Sequence, residues 1–349
     1  MKDEILRRFP LDGEPVSIEP ITAGHINKSF LVTCDSGHRY VLQRVNRFVF
    51  RDVGAIMENL RQLREYLRGS EEAPPMVCFI DALDGRSFIE DGEGGAWRLC
   101  PYVENSLSLL RPESEADFYE SAAAFGRFQY ALRDFPVGRL SDTIPRFHDT
   151  PERFRQLRAA MEADPCGRRN EVRRELDFAF TRQERASLLQ ACRESGEVPL
   201  RVTHNDTKMS NVLLDAKTRR ALCVIDLDTV MPGLSAYDFG DAIRAGAAKG
   251  SEDGEGIRLD LAYYAAFVRG FLTACPHLTA RERELLPLGA WTMTLECGLR
   301  FLADFLCGDP YFAVTHPTHN LERARAQFSL AADMERRFDE MREIVKRFT

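Results

Sequence analysis

The segment RVTHNDTKMSNVLLD, residues 201–215, decides the fold prediction because a dense polar centre separates its two apolar runs. Between His204 and Asn211 it contains histidine, asparagine, aspartate, lysine and a second asparagine. The apolar runs predict two short strands with a polar junction between them. One interpretation is that Asn205, Asp206 and Asn211 form an ordinary turn. The other is that the junction carries catalytic groups.

The spacing of Asp206 and Asn211, five positions apart, favours the catalytic interpretation. The catalytic loop of protein kinases reads H-R-D-x-x-x-x-N, and this chain reads H-N-D-T-K-M-S-N from residue 204. In phosphoryl transfer a carboxylate orients the attacking hydroxyl and accepts its proton, while oxygen ligands hold Mg²⁺ against the phosphates. We therefore predict Asp206 as the catalytic base, Asn211 as a Mg²⁺ ligand and Lys208 as a residue that reaches the γ-phosphate.

Asp226 supplies the second acid that this chemistry requires. It ends an apolar, strand-like run, RALCVID, fifteen positions after Asn211. A buried acid at such a place is costly unless it has a partner, and a cation would be that partner. Asp226 is therefore predicted to be the second Mg²⁺ ligand. With this acid present, the ordinary-turn interpretation of the polar junction is disfavoured.

The sequence before residue 104 and the sequence after it differ in their secondary-structure patterns. Residues 16–45 contain strand-like runs around an Asp35-Ser36-Gly37 turn, and residues 53–67 repeat apolar side chains at helical spacing. After Glu104 most segments are helical in pattern, apart from the strands around the polar segment. The tail from residue 320 onwards predicts one long amphipathic helix.

These patterns predict an α+β protein of two lobes. A small N-terminal lobe, residues 1–104, would combine an antiparallel sheet with one helix and would bind nucleotide. A larger, mostly helical C-terminal lobe, residues 105–349, would hold the catalytic loop and the substrate site.

The composition excludes several classes of protein. The 349 residues carry a formal net charge of -7, which argues against binding to a nucleic-acid backbone. No run approaches the roughly 18 apolar residues of a membrane span. Nine cysteines without a C-x-x-C pair indicate free thiols in a reducing compartment. We expect a cytoplasmic protein that binds small molecules and neither nucleic acid nor membrane. A monomer is expected, with an oligomer left open.

VTHNDTKMSNVLLD, together with VIDLDTVMPGLSAYDFGDAIR, resembles the aminoglycoside phosphotransferase and choline kinase family. The segments AGHIN (23–27), YVLQRVN (40–46), FHDTPERF (147–154) and ECGLRFLADFLCGD (296–309) extend the resemblance over nearly the whole chain. Within the family the sequence is most similar to the bacterial N-acetylhexosamine 1-kinases. The resemblance implies a bilobal, protein-kinase-like fold. It also implies a kinase that uses ATP as co-substrate and Mg²⁺ as cofactor to phosphorylate the anomeric hydroxyl of N-acetylglucosamine or N-acetylgalactosamine.

The same resemblance implies a set of nucleotide-binding residues. Gly24 and Asn27 would lie in the loop over the nucleotide, and residues Pro101, Tyr102 and Val103 would contact adenine. Gln43 stands where protein kinases have a strand lysine. Glutamine can hydrogen-bond a phosphate but cannot neutralise it. Either Arg44, on the opposite strand face, or the metals and the catalytic loop would supply the missing positive charge.

A second implied set surrounds the sugar. His25 and Arg300 would reach the sugar hydroxyls, and Tyr311 would line the pocket. Asp228 would bind a second metal or the sugar, with a structural role equally open. Ala245 stands where the most similar relatives have a bulkier aromatic residue, which leaves the shape of the acyl pocket open.

Arg300 also has a purely structural interpretation. It lies in an apolar helical run, where a buried arginine needs a partner. Glu296 and Asp304, at i−4 and i+4, could form that ion pair.

Four further acids are expected to have no direct catalytic role. The DFG at residues 238–240 is not the metal motif, because the spacing from Asn211 favours Asp226. Asp238 and Asp241 are instead expected to tie the catalytic loop to the start of a helix. Glu58 and Glu65, without a strand lysine to pair with, are expected to be ordinary solvated residues.

Two other functions stay open at this point. The first is a kinase for another small alcohol, such as choline, homoserine, an aminoglycoside or another sugar. The second is a nucleotide-binding regulator without turnover, which the missing strand lysine allows. The set of Asp206, Lys208, Asn211 and Asp226 argues against the regulator.

Overall fold

The computed structural model describes residues 2–22, 26–70, 76–250 and 256–348. The N-terminal lobe contains a five-stranded sheet in the order β1-β2-β3-β5-β4, with every neighbouring pair antiparallel. Its elements are α1 (Lys2–Leu6), β1 (Pro15–Ile21), β2 (Lys28–Cys34), β3 (Arg39–Val45), α2 (Val53–Leu67), β4 (Ile89–Glu90) and β5 (Ala96–Pro101). The predicted hairpin is confirmed, because β2 and β3 pair across the turn that Gly37 closes with a φ of 86°.

Strand alternation gives the N-terminal sheet two different faces. On the outer face, Leu42 of β3 and Trp97 of β5 pack with Phe9, which follows α1, in an apolar cluster. On the inner face, Gln43 lies opposite Arg98 in the β3–β5 register. This inner face looks toward the C-terminal lobe, so its polar side chains are available to the site between the lobes.

Helix α2 joins the two lobes. Its N-terminus is capped by Asp52, which accepts a hydrogen bond from the Ala55 N–H, and its apolar side chains are buried, as the helical spacing predicted. Asn59 on the buried face donates through Nδ2 to the carbonyl oxygens of Ser141, at 2.8 Å, and Val230, at 3.2 Å. A polar contact of this kind holds the small lobe in register with the large one.

The C-terminal lobe is mostly helical, as predicted. Its helices are α3 (Glu115–Ala131), α4 (Thr150–Ala163), α5 (Arg173–Phe180), α6 (Gln183–Ala186), α7 (Leu188–Glu194), α8 (Ser235–Gly246), α9 (Leu261–Ala274), α10 (Ala280–Leu306), α11 (His319–Arg336) and α12 (Phe338–Lys346). Its short strands are β6 (Ser106–Ser108), β7 (Arg201–Thr203), β8 (Val212–Asp215), β9 (Ala221–Val224), β10 (Met231–Gly233), β11 (Ala248–Lys249) and β12 (Arg258–Leu259). The boundary predicted at residue 104 stays a prediction; the N-terminal sheet ends at Pro101.

The strands around the polar segment form small sheets that aim it at the lobe interface. β7 pairs with β10, and β8 pairs with both β6 and β9. The Ile225 N–H donates to the carbonyl of Asn211 at 2.9 Å. The end of the catalytic loop is therefore bonded directly to the residue before Asp226.

One prediction about the tail is wrong. Instead of a single long helix, the chain forms α11 and α12, which are separated at Arg337, where ψ is 13°. Asp333 is buried near this break and pairs with Arg336 and Arg337. The ion pairs with Asp333 hold the end of α11 in place. Hydrophobic periodicity alone does not predict such a helix end.

Among the described residues no helix is long and apolar enough to cross a bilayer. All nine cysteines are free thiols, as the sequence predicted.

Helices α8 and α10 approach each other very closely. A Cβ atom built on Gly240 of α8 would lie 2.3 Å from the carbonyl oxygen of Gly289 in α10. This distance is far below van der Waals contact, and the obstructing atom belongs to the backbone of a buried helix. Glycine is therefore required for α8 to lie where it supports the catalytic loop.

We expect Gly240→Ala to lower the free energy of unfolding by about 1–3 kcal/mol, the usual cost of overpacking a core. Urea denaturation measures this change. Gly138→Ala is the control, because nothing lies within 4 Å of a Cβ built there. It should leave the stability unchanged or raise it by up to about 1 kcal/mol. Equal stability of the two variants would contradict the close-packing argument.

Candidate active site

The catalytic loop leaves β7 through His204 and Asn205, both of which are buried. Asn205 has a φ of 65°, a conformation that asparagine tolerates better than most residues. His204 accepts the Asp206 N–H at Nδ1, at 3.3 Å, so its Nε2 carries the proton that it donates to the Ile225 carbonyl, at 2.9 Å. The histidine thus connects the backbone of Asp206 to the strand end before Asp226.

Two buried acids of α8 hold the loop from behind. Asp238 accepts hydrogen bonds from the backbone N–H groups of His204, at 2.9 Å, and Asn205, at 2.7 Å. Asp241 accepts the Thr207 N–H at 3.0 Å. The prediction that these acids tie the loop to the start of a helix is confirmed. That the DFG segment is not the metal motif stays a prediction.

Four polar side chains meet in front of the loop. Lys208 Nζ lies 2.8 Å from Asp206 Oδ2 and 4.0 Å from Asp226 Oδ2. Asn211 Nδ2 donates to the same Asp206 oxygen at 2.9 Å and to the Asp206 carbonyl at 2.7 Å. The structure therefore brings together Asp206, Lys208, Asn211 and Asp226, which sequence spacing alone had grouped.

The charges of this cluster are strongly coupled. Burial acts to raise the pKa of Asp206, but Lys208 and Asn211 outweigh it and hold that pKa below its ordinary value. Burial acts to lower the pKa of Lys208, yet Asp206 and Asp226 keep it above its ordinary value. Asp206 is thus an ionised hydrogen-bond acceptor, as a residue that orients a hydroxyl must be.

Asp226 is electrostatically different from Asp206. Burial, followed by the negative charges of Asp228 and Asp206, raises the pKa of Asp226 to about 6. Asp226 also has a φ of 60°, an uncommon conformation for an aspartate that persists only where the surroundings hold it. A destabilised carboxylate on a held backbone is a site where a cation would be bound favourably.

The donor set fits Mg²⁺ and does not fit a metal held by protein alone. Both hydrogen bonds of Asn211 use its nitrogen, which presents the amide oxygen to a cation. Among the described residues no group of three or more histidine, cysteine, aspartate or glutamate side chains could hold a metal ion. Mg²⁺ is commonly bound by one or two carboxylates and completed by substrate phosphates and water. Asn211 and Asp226 have the chemistry for that arrangement.

Arg98, which was not among the predicted site residues, is a buried guanidinium paired with Asp228. Its Nη1 lies 2.6 Å from Asp228 Oδ1 and its Nη2 lies 2.8 Å from Asp228 Oδ2. Its Nε donates to Gln43 Oε1 at 3.1 Å. The available signal was an arginine in the apolar strand AWRLCP, where a buried charge needs a partner.

The polar residues predicted to bind nucleotide have partners of their own. Gln43 also donates to Ser29 Oγ at 3.1 Å. Asn27 donates to Asp228 Oδ2 at 2.7 Å and accepts the Asn46 N–H at 2.9 Å. Asp228 is therefore bound by protein groups on both carboxylate oxygens. Phosphate contact by Gln43 or Asn27, and metal or sugar contact by Asp228, stay predictions.

Arg44 does not compensate for the missing strand lysine. It lies on the outer face of the sheet, where it is 3.8 Å from Asp91 and 3.9 Å from Glu93. Strand alternation places its side chain on the side opposite Gln43 and Arg98. The neighbouring strand has an arginine on the inner face, Arg98, but its charge is paired with Asp228.

Two further predictions concern the small lobe. Glu58 and Glu65 both pair with Arg61 on the exposed side of α2, so the expectation that they are ordinary solvated residues is confirmed. The predictions for Gly24 and His25 lie outside the described residues.

The connector between the lobes has an ordered backbone. The Tyr102 N–H donates to the Arg39 carbonyl at 3.0 Å, and the Arg39 guanidinium lies 4.3 Å from the centre of the Tyr102 ring. Ser106 Oγ donates to the Val103 carbonyl at 2.7 Å. Adenine contact by Pro101, Tyr102 and Val103 stays a prediction.

Arg300 lies among aromatic rings. Its guanidinium carbon is 5.7 Å from the ring centre of Phe147, 5.8 Å from that of Tyr311 and 5.4 Å from that of Phe312. Burial lowers the pKa of Arg153, and the positive charge of nearby Arg300 lowers it further. The Glu296 carboxylate is also near Arg153 and acts in the opposite direction, to raise that pKa.

The ion pair suggested for Arg300 with Glu296 or Asp304 is not formed among the described residues. Glu296 is bound by His148, at 3.0 Å, and Thr150, at 2.6 Å. Asp304 accepts the backbone N–H groups of Tyr311 and Phe312. Across the part of the chain that the structure describes, no carboxylate pairs with Arg300.

His148 is a second residue that the sequence reading missed. Its other ring nitrogen, Nε2, lies 3.2 Å from the carbonyl oxygen of Asn205, the residue before the catalytic base. The FHDTPERF segment thus connects α4 and α10 to the catalytic loop. The sequence feature that could have indicated His148 is its position directly before Asp149, the N-cap of α4.

The chain belongs to the phosphotransferase enzyme family, whose model matches residues 17–280. Three solved structures are similar to it. A microcompartment-associated aminopropanol kinase is 19% identical with a TM-score of 0.67 and 98% of each chain covered. An aminoglycoside phosphotransferase from Alicyclobacillus acidocaldarius is 17% identical with a TM-score of 0.59, covering 99% of this chain and 96% of that one. A choline kinase from Cryptosporidium parvum is 15% identical with a TM-score of 0.55, covering 93% and 90%. They confirm the predicted protein-kinase-like fold.

Replacing the acid behind the catalytic loop tests its role. We expect Asp238→Asn to lower the free energy of unfolding by about 1–3 kcal/mol, because it leaves buried N–H donors facing an amide nitrogen. Urea denaturation measures the loss.

Asp260→Asn is the matched control for Asp238→Asn. Asp260 also accepts two backbone N–H groups, from Ala262 and Tyr263, but at an exposed helix start where asparagine caps equally well. Its stability should change by less than about 0.5 kcal/mol. Similar losses in both variants would contradict a special role for Asp238.

Proposed function

We propose that this phosphotransferase transfers the γ-phosphoryl group of ATP to the anomeric hydroxyl of N-acetylglucosamine or N-acetylgalactosamine, with Mg²⁺ as cofactor. The observation that carries the proposal is the cluster of Asp206, Lys208, Asn211 and Asp226 at the lobe interface. Membership of the phosphotransferase enzyme family supports the reaction class. The identity of the acceptor is the finer part of the proposal and depends on the aromatic wall around Arg300.

In this mechanism the chain positions groups and places charges, since phosphoryl transfer leaves the protein little covalent chemistry to perform. The Asp206 carboxylate accepts a hydrogen bond from the sugar hydroxyl, orients it and takes its proton. Lys208 stabilises the ionised form of Asp206 and lies where phosphate charge would develop. Asn211 and Asp226 would hold Mg²⁺, which, when bound, neutralises charge on the phosphates.

A neutral polyhydroxylated acceptor suits the wall around Arg300. Within the described residues this guanidinium has aromatic neighbours but no carboxylate, which leaves its N–H donors available for sugar oxygens. Tyr311 is 47% exposed and can stack on one face of a sugar ring. The Arg153 guanidinium is near as well, with the Glu296 carboxylate partly balancing its charge. A cationic acceptor would be repelled there.

A kinase for an amino alcohol is the second candidate, since an aminopropanol kinase and a choline kinase are among the similar structures. The Arg300 guanidinium, which pairs with no carboxylate within the described residues, argues against it on charge. The third candidate, a regulator without turnover, depended on the missing strand lysine. The assembled cluster of Asp206, Lys208, Asn211 and Asp226 argues against that candidate.

Asp206→Asn tests the reaction. It removes the proton acceptor but keeps the side-chain shape, so we expect turnover to fall by about 10²–10⁴-fold, the typical contribution of general base catalysis. Coupled ADP release measures turnover, and calorimetry with a non-hydrolysable ATP analogue should show retained nucleotide binding.

Asp215→Asn is the control for this variant, because Asp215 lies in the same segment but accepts hydrogen bonds from the exposed turn at Lys217 and Thr218. It should keep wild-type turnover. Near-wild-type turnover by Asp206→Asn would show that the proposed mechanism is wrong.

Arg300→Met tests the acceptor. We expect the KM for the N-acetylhexosamine to rise by about 10–100-fold, equivalent to one charged hydrogen bond, while the KM for ATP is unchanged. Arg269→Met is the control, since that guanidinium also lies near an aromatic ring, 4.8 Å from that of Tyr119, but on α9.

A panel of acceptors separates the candidates. The proposal expects N-acetylglucosamine or N-acetylgalactosamine to be preferred over choline, homoserine and aminoglycosides. Preference for an amino alcohol would support the second candidate. Thermal stabilisation by ATP without phosphorylation of any acceptor would support the regulator.

A further inference from the structure

Arg98 and Asp228 form a buried ion pair between the two lobes. Arg98 belongs to β5 of the small lobe, and Asp228 lies in the large lobe, 130 residues later. Each side chain is 1% exposed, and the guanidinium and carboxylate meet in a two-point contact of 2.6 and 2.8 Å. Burying two charges has a large desolvation cost that only a well-made pair offsets. A pair of this geometry calls for a reason beyond stability.

The small-lobe end of this pair lies beside the position where protein kinases have their strand lysine. Gln43 occupies that position on β3, lies opposite Arg98 in the strand register and accepts the Arg98 Nε–H at 3.1 Å. In protein kinases the strand lysine pairs with a glutamate of the following helix. Here the acids of α2, Glu58 and Glu65, face solvent with Arg61. The kinase ion pair is therefore absent from its usual residues, all of which the structure describes.

The large-lobe end lies next to the predicted metal ligand. Asp228 belongs to the single turn Leu227–Thr229 that follows Asp226. Its Oδ2 also accepts the Asn27 Nδ2–H at 2.7 Å, so the hairpin end between β1 and β2 contacts the same carboxylate. Asp226 itself is held at a φ of 60°. The turn that aims Asp226 is thus anchored from the small lobe at two points.

A direct phosphate contact by Arg98 fits these observations less well. Three of its donors are used by Asp228 and Gln43, and the Phe79 ring covers the guanidinium at 4.2 Å. With 1% of the side chain exposed, a ligand would have to displace Asp228 to reach it. The geometry favours an action through Asp228.

We propose that Arg98 and Asp228 are positioning residues that together replace the kinase lysine–glutamate pair. They hold the turn that carries Asp226 in the orientation for a metal–nucleotide complex and couple that orientation to the approach of the small lobe. Arg98 also neutralises Asp228, which limits the repulsion between Asp228 and Asp226. The inference depends on the proposed function only in taking Mg²⁺–ATP as the ligand.

The test compares nucleotide binding with and without Mg²⁺, using AMP-PNP in calorimetry. The double variant Arg98→Met/Asp228→Asn removes both charges and avoids leaving one of them buried alone. We expect it to fold and to bind AMP-PNP in EDTA as the wild type does. The gain in affinity that Mg²⁺ gives should fall by about 10–100-fold, the usual effect of losing a partner behind a metal ligand.

Arg182→Met/Glu335→Gln is the matched control. Arg182, the residue before α6, and Glu335 of α11 also form a two-point pair, at 2.8 Å and 2.8 Å. Its removal should lower the melting temperature and leave the Mg²⁺ gain unchanged, as a purely structural pair would. Arg98→Lys is the second variant, which keeps a charge but cannot form the two-point contact. The affinity that Mg²⁺ adds in this variant should lie between the values for the wild type and the double variant.

The outcomes separate this inference from the proposed function. A wild-type Mg²⁺ gain in the double variant would overturn the positioning role and leave the kinase proposal intact. If the double variant does not fold, Arg98→Lys decides: an intermediate gain supports the role and a wild-type gain overturns it. Failure of the wild-type protein to bind Mg²⁺–AMP-PNP would overturn both. Binding without phosphorylation of any sugar would count against the proposed acceptor alone.

Discussion

The hydrogen bonds from the catalytic-loop backbone to Asp238 are the constraint on which the site depends. Two consecutive N–H groups, those of His204 and Asn205, point away from the lobe interface into the core, where only a buried acceptor can satisfy them. Asp238 is that acceptor because α8 lies against α10 with glycine at the crossing. The helix packing therefore sets the loop backbone, and the loop backbone sets where Asp206 emerges.

Charge at the lobe interface is distributed so that one acid is left for a cation. Asp206 is paired with Lys208 at 2.8 Å, and Asp228 is paired with Arg98 at 2.6 Å. Asp226, between them, has a longer contact of 4.0 Å to Lys208, and its pKa is raised to about 6. Adding a divalent cation beside Asp226 would relieve the repulsion from both neighbours at once. The protein pairs the acids that must stay in place and leaves partly unpaired the one that would bind metal.

The catalytic loop could be predicted from the spacing of nearby residues. Contacts between residues far apart in the sequence could not. The Asp206–Asn211 spacing, the hairpin at Gly37 and the helical second lobe all follow from patterns within a few tens of residues. The Arg98–Asp228 pair joins positions 130 residues apart, and no periodicity reveals it. For the same reason Arg44 was a reasonable candidate from its own strand but faces Asp91 on the outer side. Strand alternation predicts which side chains of β3 share a face. It does not predict which of the two faces lies toward the other lobe.

Arg300 shows that correct local spacing can also suggest a contact that the fold does not form. Its i−4 and i+4 acids were correctly spaced for an ion pair, yet Glu296 turns to His148 and Thr150, and Asp304 binds the backbone after α10. Both acids are used to build the walls around Arg300, and the guanidinium is left facing aromatic rings. The proposal that Arg300 binds the acceptor depends on this arrangement. The reaction class can thus be argued from a short polar segment, whereas the acceptor must be argued from which side chains the folded structure leaves available.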